Sequence, residues 1–193
     1  VQALAREAGL QVVLALPFKS TLDDAGLDAM AAEIARVGPG LCFNHGSASL
    51  YGRLVARVKR AGGRTMMTAV NSGSTEMART LGPLAHGMVF TQVVPSPWER
   101  KHAITREYRA AAEAAPGSVP PGYGALEGFV TAKALVLALQ AAGRNLTRES
   151  FADALRDASF DLGGLRLRYR RGDHEGSRFV DLALFSREGR FLH

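Results

Sequence analysis

Short apolar runs alternate with amphipathic segments over the first 94 residues of the chain. The runs lie at residues 11–16, 41–43, 65–70 and 88–94. Between them, apolar residues recur three and four positions apart, as on the buried face of a helix; Leu27, Ala31 and Ile34 are one example. A helix in each gap between strands predicts right-handed crossovers and a parallel sheet. The pattern therefore predicts an α/β fold, a parallel Rossmann-like sheet flanked by helices.

The pattern changes at Pro95-Ser96-Pro97, where the prolines indicate a connector or a crossing between domains. Three helices are predicted beyond it, at residues 98–115, 125–142 and 147–158, and then an antiparallel hairpin of residues 165–169 and 179–185. The helix at 125–142 is apolar nearly all round, so we expect it to be buried on most sides by a partner outside these residues. The predicted segments are 1–95, 96–159 and 160–193.

Composition and charge exclude several classes of function. Hydrophobic residues make up 47% of the 193 residues, which is typical of a globular protein. The net charge is +6, and most of the basic residues are scattered over predicted helix faces. The arginines at 166, 168, 170 and 171 alternate with apolar residues as on a solvated strand face. No nucleic-acid partner is therefore predicted. No apolar run reaches the roughly 18 residues of a membrane span, so no direct membrane insertion is predicted.

The familiar catalytic motifs are absent from the sequence. It contains no phosphate-binding loop, no His-Glu-x-x-His and no Gly-x-Ser-x-Gly. The five histidines are far apart, and the single Cys42 excludes an internal disulfide. Asp23-Asp24 and the acids at 173 and 175 fall in predicted turns, where carboxylates cap backbone amides. The sequence therefore predicts no enzyme, no metal site and no cofactor.

Two strand exits are unusually polar. In open parallel sheets, ligands bind outside the carboxyl ends of the strands, and free amides at the following helix starts favour anions. These exits offer amide and hydroxyl groups without charge. The candidate ligand-binding residues are Asn44, His45, Ser47 and Ala48 in the first loop, and Asn71, Ser72 and Ser74 in the second.

Several segments, in order, resemble the branched-chain-amino-acid-type periplasmic solute-binding proteins of ABC transporters, which have the type I periplasmic-binding-protein fold. Residues 87–97, ending in Pro95-Ser96-Pro97, are similar to the family's lobe-crossing strand, and Tyr123 with Glu127-Gly128-Phe129 to its long helix. The match continues through residues 146–149, 160–164 and 172–179.

The resemblance implies two lobes that close on a small-molecule solute, which is then delivered to a membrane permease. It implies a periplasmic protein with a signal peptide upstream. Residues 1–95 and 160–193 would belong to the second lobe and residues 96–159 to helices of the first, whose sheet would lie upstream of Val1. It also assigns the second-lobe ligand contacts to the two polar loops.

The second loop departs from the family in a way that affects the expected ligand. Amino-acid binders in the family commonly hold the ligand ammonium with an acid there, whereas this sequence has Asn71 and Ser72. The expected solute is small and polar or carboxylate-bearing, and the candidates are an amino acid, an amide and an aromatic or aliphatic acid. A buried ammonium needs a compensating charge, so among these we favour a carboxylate, an amide or an aromatic acid over a branched-chain amino acid. Two alternatives remain: a ligand-sensing regulatory domain of the same fold, and an α/β transferase.

Overall fold

The computed structural model describes residues 2–44, 48–70, 74–115, 117, 120–156, 158–170 and 172–193. The chain divides into two compact units. The first unit comprises residues 1–90 and 183–192, and the second comprises residues 91–182 and 193. The chain therefore passes from one unit to the other three times.

The α/β pattern predicted for the start of the chain is confirmed. A five-stranded sheet has the strand order β1-β2-β3-β6-β7. Strands β1 and β2 pair parallel, as do β2 and β3, and β6 pairs antiparallel with β7. The helices of this part are α1 (Gln2–Glu7), α2 (Asp24–Val37), α3 (Ala48–Arg60) and α4 (Ser74–Leu81). The strands are β1 (Leu41–Phe43), β2 (Met66–Ala69), β3 (Val89–Gln92), β6 (Asp181–Phe185) and β7 (Phe191–Leu192).

The two faces of this sheet differ in burial. Met67, Ala69 and Phe90 point to one face, where they join a single buried cluster with the apolar stripes of α2, α3 and α4. Leu41 and Met66, which are in register on neighbouring strands, lie on the other face and are about half exposed. Burial on one face accounts for the helix stripes that the sequence shows, and the other face remains open to solvent.

The predicted strand at residues 11–16 is wrong. α1 ends before Gly9, whose φ of 72° is the left-handed conformation expected of a glycine after a helix. Residues 10–18 then have no regular secondary structure. Leu14, Leu16 and Phe18 still pack against the buried cluster. Apolar contacts of alternate side chains therefore hold this segment, and the apolar run that predicted a strand is present without a strand's backbone pairing.

The second unit contains the three helices predicted after Pro95. They are α5 (Ala103–Ala114), α6 (Tyr123–Ala142) and α7 (Arg148–Leu155). The N-cap of α7 is a full capping box: the Ser150 amide donates to Thr147 Oγ1 at 3.0 Å, and the Thr147 amide donates to Ser150 Oγ at 2.9 Å.

The predicted hairpin between residues 165–169 and 179–185 is wrong. Strand β5 (Arg166–Arg168) pairs antiparallel with β4 (Ser159–Asp161), which precedes it, and β6 joins the larger sheet. The Asp161 carboxylate accepts hydrogen bonds from the amides of Gly163 and Gly164, both at 2.9 Å, and so closes a tight β4–β5 turn. Both glycines have φ near +95°. The glycine pair thus forms the turn of the β4–β5 hairpin.

Helix α6 is covered on only part of its surface. Tyr123, Leu126, Val130 and Ala138 are buried, whereas Leu135, Val136 and Leu139 are 37–50% exposed. By length and composition alone, α6 is also apolar enough to span a membrane, a test that a core helix of a soluble protein passes as well. The prediction of burial on most sides is therefore not met within the second unit, and an apolar face of α6 stays open there.

Candidate ligand-binding site

The first polar loop begins at a buried asparagine. Asn44 follows β1 directly and is only 5% exposed. Ala48 is the first residue of α3. His45 and Ser47, which were predicted as ligand contacts, lie outside the described residues. The described part of this exit therefore places one amide side chain at the carboxyl end of β1.

The second polar loop ends on a buried serine. Ser74 is the first residue of α4 and is 1% exposed. Asn71 and Ser72 lie outside the described residues. Because β1 and β2 are parallel neighbours in which Phe43 aligns with Thr68, both loops leave the same edge of the sheet. The structure thus brings Asn44, Ala48 and Ser74 to one edge, as the sequence pattern predicted.

Two residues that the sequence analysis missed fix the end of β1. The Tyr51 hydroxyl and the Thr68 hydroxyl both donate to the backbone carbonyl of Cys42, at 3.3 Å and 3.1 Å. Tyr51 lies one turn into α3, and Thr68 lies on β2, so the carbonyl two residues before Asn44 is held from two sides. A tyrosine within a helix stripe was the available signal, but it is indistinguishable from ordinary core packing.

Apart from Glu76, an exposed carboxylate in the first turn of α4 that is bonded to Arg79, the candidate residues described at this edge are uncharged. Burial raises the pKa of the Cys42 thiol and, more strongly, that of Tyr51, so both keep their protons at neutral pH. The polar side chains are an amide and hydroxyls, and the amides of the first turns of α3 and α4 add partial positive charge.

The acidic residues have structural roles. Asp23 caps α2 by accepting from the Gly26 amide at 2.9 Å, and Asp173 accepts from the Glu175 amide at 2.9 Å. Asp24 is exposed and is bonded to the guanidinium groups of Arg53 and Arg57, which lower its pKa. The expectation that these carboxylates serve turns and caps is confirmed for Asp23 and Asp173. Among the described residues, no three metal-ligating side chains come together.

The comparison with known families identifies the kind of protein to which this sheet belongs. The sequence model of the family described as periplasmic binding protein matches residues 1–188. The chain belongs to the periplasmic binding protein family. Members of this family are extracytoplasmic proteins that bind solutes. The resemblance found in the sequence is thereby confirmed, and the α/β architecture is that of a type I periplasmic binding protein.

Solved structures of periplasmic binding proteins share this fold. A possible leucine/isoleucine/valine-binding protein from Rhodopirellula baltica is 28% identical over 80% of this chain and 43% of its own, with a TM-score of 0.72. A substrate-binding periplasmic protein from Ralstonia solanacearum is 22% identical over 98% of this chain and 55% of its own, with a TM-score of 0.83.

A third structure carries a bound amino acid. It is a branched chain amino acid ABC transporter protein from Thermus thermophilus with bound valine, 18% identical over 99% of this chain and 53% of its own, with a TM-score of 0.80. The present chain thus spans about half the length of the solved structures it matches. No curated protein matches the chain.

Proposed function

We propose that the intact protein is the extracytoplasmic solute-binding component of an ABC importer, and that its solute binds at the carboxyl ends of β1 and β2. Asn44 and Ser74 support this most directly, since they are buried polar side chains at the same sheet edge in a member of a solute-binding family. His45, Ser47, Asn71 and Ser72 complete the proposed site. The second partner is the membrane permease that receives the solute.

We further propose that the solute carries a carboxylate or an amide and lacks a free ammonium group that must be buried. The two loops contain no acidic residue. An ammonium taken out of water without a counter-charge is strongly unfavourable, whereas a carboxylate is stabilised by helix-start amides and hydroxyl donors. This distinguishes the expected solute from the valine of the Thermus thermophilus protein. The proposed class includes aliphatic acids, aromatic acids and amides.

The lobe assignment remains a proposal as well. Residues 1–95 and 160–193 are proposed to belong to the second lobe of the intact protein, and residues 96–159 to helices of the first. The exposed apolar face of α6 supports this, because that face lacks a partner among the described residues of the second unit. A helix covered by the remainder of a binding protein meets the length and composition of a membrane span without entering a membrane.

A thermal-shift screen of the intact protein tests the proposed function. The ligands are leucine, valine, aliphatic carboxylates, aromatic acids and amides, each over a concentration series. At 100 times its dissociation constant a ligand adds about 2.7 kcal/mol to the free energy of unfolding, which is a clear shift in Tm. We expect a shift with one class of acid or amide. Micromolar binding of leucine or valine with no response to acids would refute the proposed solute class.

A pair of double variants tests the site. Asn71→Ala with Ser72→Ala is expected to abolish the ligand-induced shift, because it removes the polar groups proposed for the second loop. The matched control is Asn145→Ala with Ser159→Ala, since both residues are exposed and lie in the second unit. Unchanged binding in the first double variant would refute the site and leave the family assignment intact.

A further inference from the structure

Four side chains in the second unit form one hydrogen-bonded chain. His193 Nε2 lies 2.8 Å from the Tyr123 hydroxyl, and His193 Nδ1 lies 2.9 Å from Asp181 Oδ2. The Ser96 side chain hydrogen-bonds the same Tyr123 hydroxyl. The other Asp181 oxygen accepts from the Leu182 amide at 2.8 Å. All four side chains belong to the second unit.

Ser96, Asp181 and His193 lie close in sequence to the three points at which the polypeptide passes from one unit to the other. The first passage falls after Phe90, and Ser96 follows it within six residues. The second falls after Leu182, the residue that Asp181 binds through its amide. The third falls after Leu192, and His193 is the next residue. One hydrogen-bonded chain therefore joins three segments that are distant in sequence.

Tyr123 is the common partner, and its surroundings keep it in place. It is the first residue of α6 and is almost completely buried. The Trp98 ring packs edge-on against it, with ring centroids 5.4 Å apart. Burial raises the pKa of Tyr123, with the charge of Asp181 acting in the same direction, so the hydroxyl keeps its proton. The phenol is thus a fixed neutral group able both to donate and to accept.

The hydrogen bonds among these side chains can form whether the His193 imidazole is neutral or protonated. The Asp181 carboxylate only accepts, so His193 Nδ1 carries a hydrogen. In the neutral ring, Nε2 accepts from the Tyr123 hydroxyl. In the protonated ring, Nε2 donates to the Tyr123 oxygen, and the phenol hydrogen is free to turn to Ser96. The His193 side chain is 12% exposed, so the bond between His193 and Tyr123 is sheltered from water, whereas the Asp181 side chain at the other end is 39% exposed.

We propose that Ser96, Tyr123, Asp181 and His193 form a latch that ties all three crossing segments to the start of α6 and controls how readily those segments open. Loss of one member removes a hydrogen bond that helps to orient its neighbour, so the remaining bonds weaken together. The three segments therefore open as one cooperative unit. This inference concerns the fold of the second unit and does not depend on which solute is bound.

Hydrogen exchange measured by mass spectrometry on the intact protein tests the latch. The variants are Tyr123→Phe, which removes only the hydroxyl, and His193→Ala. We expect amide exchange to rise about 2- to 10-fold in the peptides covering residues 91–96, 181–184 and 191–193 together, the range that one hydrogen bond predicts. The β4–β5 hairpin and the α2–α3 region are expected to keep the exchange of the unmodified protein. His174→Ala is the matched control, because His174 is an exposed histidine of the same unit.

The double variant Tyr123→Phe with His193→Ala distinguishes one coupled hydrogen-bonded network from a set of independent contacts. If the residues act as one latch, the double variant exchanges about as fast as the more affected single variant. Additive increases would overturn the proposal, as would an increase confined to the peptide that carries the substitution. If Tyr123→Phe raises exchange across the whole protein, Ser96→Ala provides the same comparison, and uniform exchange in that variant also overturns the latch.

Discussion

Two leucines of α6 allow a controlled test of which helix face is buried. Leu126 is fully buried and Leu135 is 49% exposed, yet both lie on the same helix of the second unit. We therefore compare Leu126→Ala with Leu135→Ala in the 193-residue chain. The two changes remove the same atoms and introduce the same residue, so their difference reports on the packing around each position.

The expected magnitudes follow from burial. Removing three buried carbon groups at about 0.8 kcal/mol each forfeits about 2.4 kcal/mol of transfer free energy. The cavity left at Leu126 raises the cost to about 3–5 kcal/mol. At Leu135 about half of the transfer term applies, solvent fills the vacated space, and alanine is a slightly better helix former. We expect the free energy of unfolding to fall by about 1 kcal/mol or less at Leu135.

Urea denaturation followed by Trp98 fluorescence measures this difference. Trp98 is the single tryptophan of the sequence, and its ring contacts Tyr123 at the start of α6. With an m value of about 2 kcal/mol/M, Leu126→Ala should lower the urea midpoint by about 1.5 M or more and Leu135→Ala by about 0.5 M or less. Similar midpoints for the two variants, with m unchanged, would show that the face of α6 carrying Leu135 is already packed within this chain, contrary to the reasoning.

Three further outcomes are expected from local structure. Gly163→Ala should destabilise the second unit by about 1–3 kcal/mol in the same urea titration. The reason is that φ of Gly163 is +97° and that the added Cβ would lie 2.8 Å from the Ile104 amide nitrogen. An unchanged urea midpoint would contradict this. Thr147→Ala should cost about 1 kcal/mol through loss of the capping box, whereas Thr147→Ser should retain most of that stability. The pKa of Asp161 is lowered mainly by the Gly164 and Gly163 amides, so its stabilisation should be present above the usual aspartate pKa and lost as pH falls through the lowered one. Asp161→Asn should flatten that acid dependence in a pH series of thermal melts, and an unchanged dependence would count against it.

The sequence predicted the structure best where the hydrophobic pattern agreed with the glycines, prolines and polar loops that end an element. Residues 41–43 form a strand as predicted, because a short apolar run lies between a Gly-Pro-Gly stop and a polar loop. The strand predicted at 11–16 failed, because its alternating side chains pack without backbone pairing. The predicted hairpin is wrong because Phe160 pairs with Leu167. The turn at Asp161 determines this pairing, and the alternation of apolar and polar side chains along the strand does not. Pairing partners depend on such contacts, which hydrophobic period does not encode.

The candidate site was partly predictable for the same reason. Asn44 and Ser74 were found because polar residues at the ends of predicted parallel strands must share one edge of the sheet. Thr68 was missed, because a single hydroxyl inside an apolar strand has no distinctive spacing. The pairing of Tyr123 with His193 was missed for a stronger reason. Seventy positions separate them, and only the folded chain shows that they meet.

The open apolar surfaces determine how measurements on these 193 residues should be interpreted. Leu41, Phe43 and Met66 lie about half exposed on one face of a parallel sheet, whereas Met67 and Phe90 on the opposite face are fully buried. Parallel sheets in α/β proteins are normally covered on both faces. The matched solved structures are about twice as long as this chain. The lobe assignment proposed above therefore predicts that substitutions on the open faces are nearly neutral in this chain and costly in the intact protein, and that substitutions at the buried positions are costly in both.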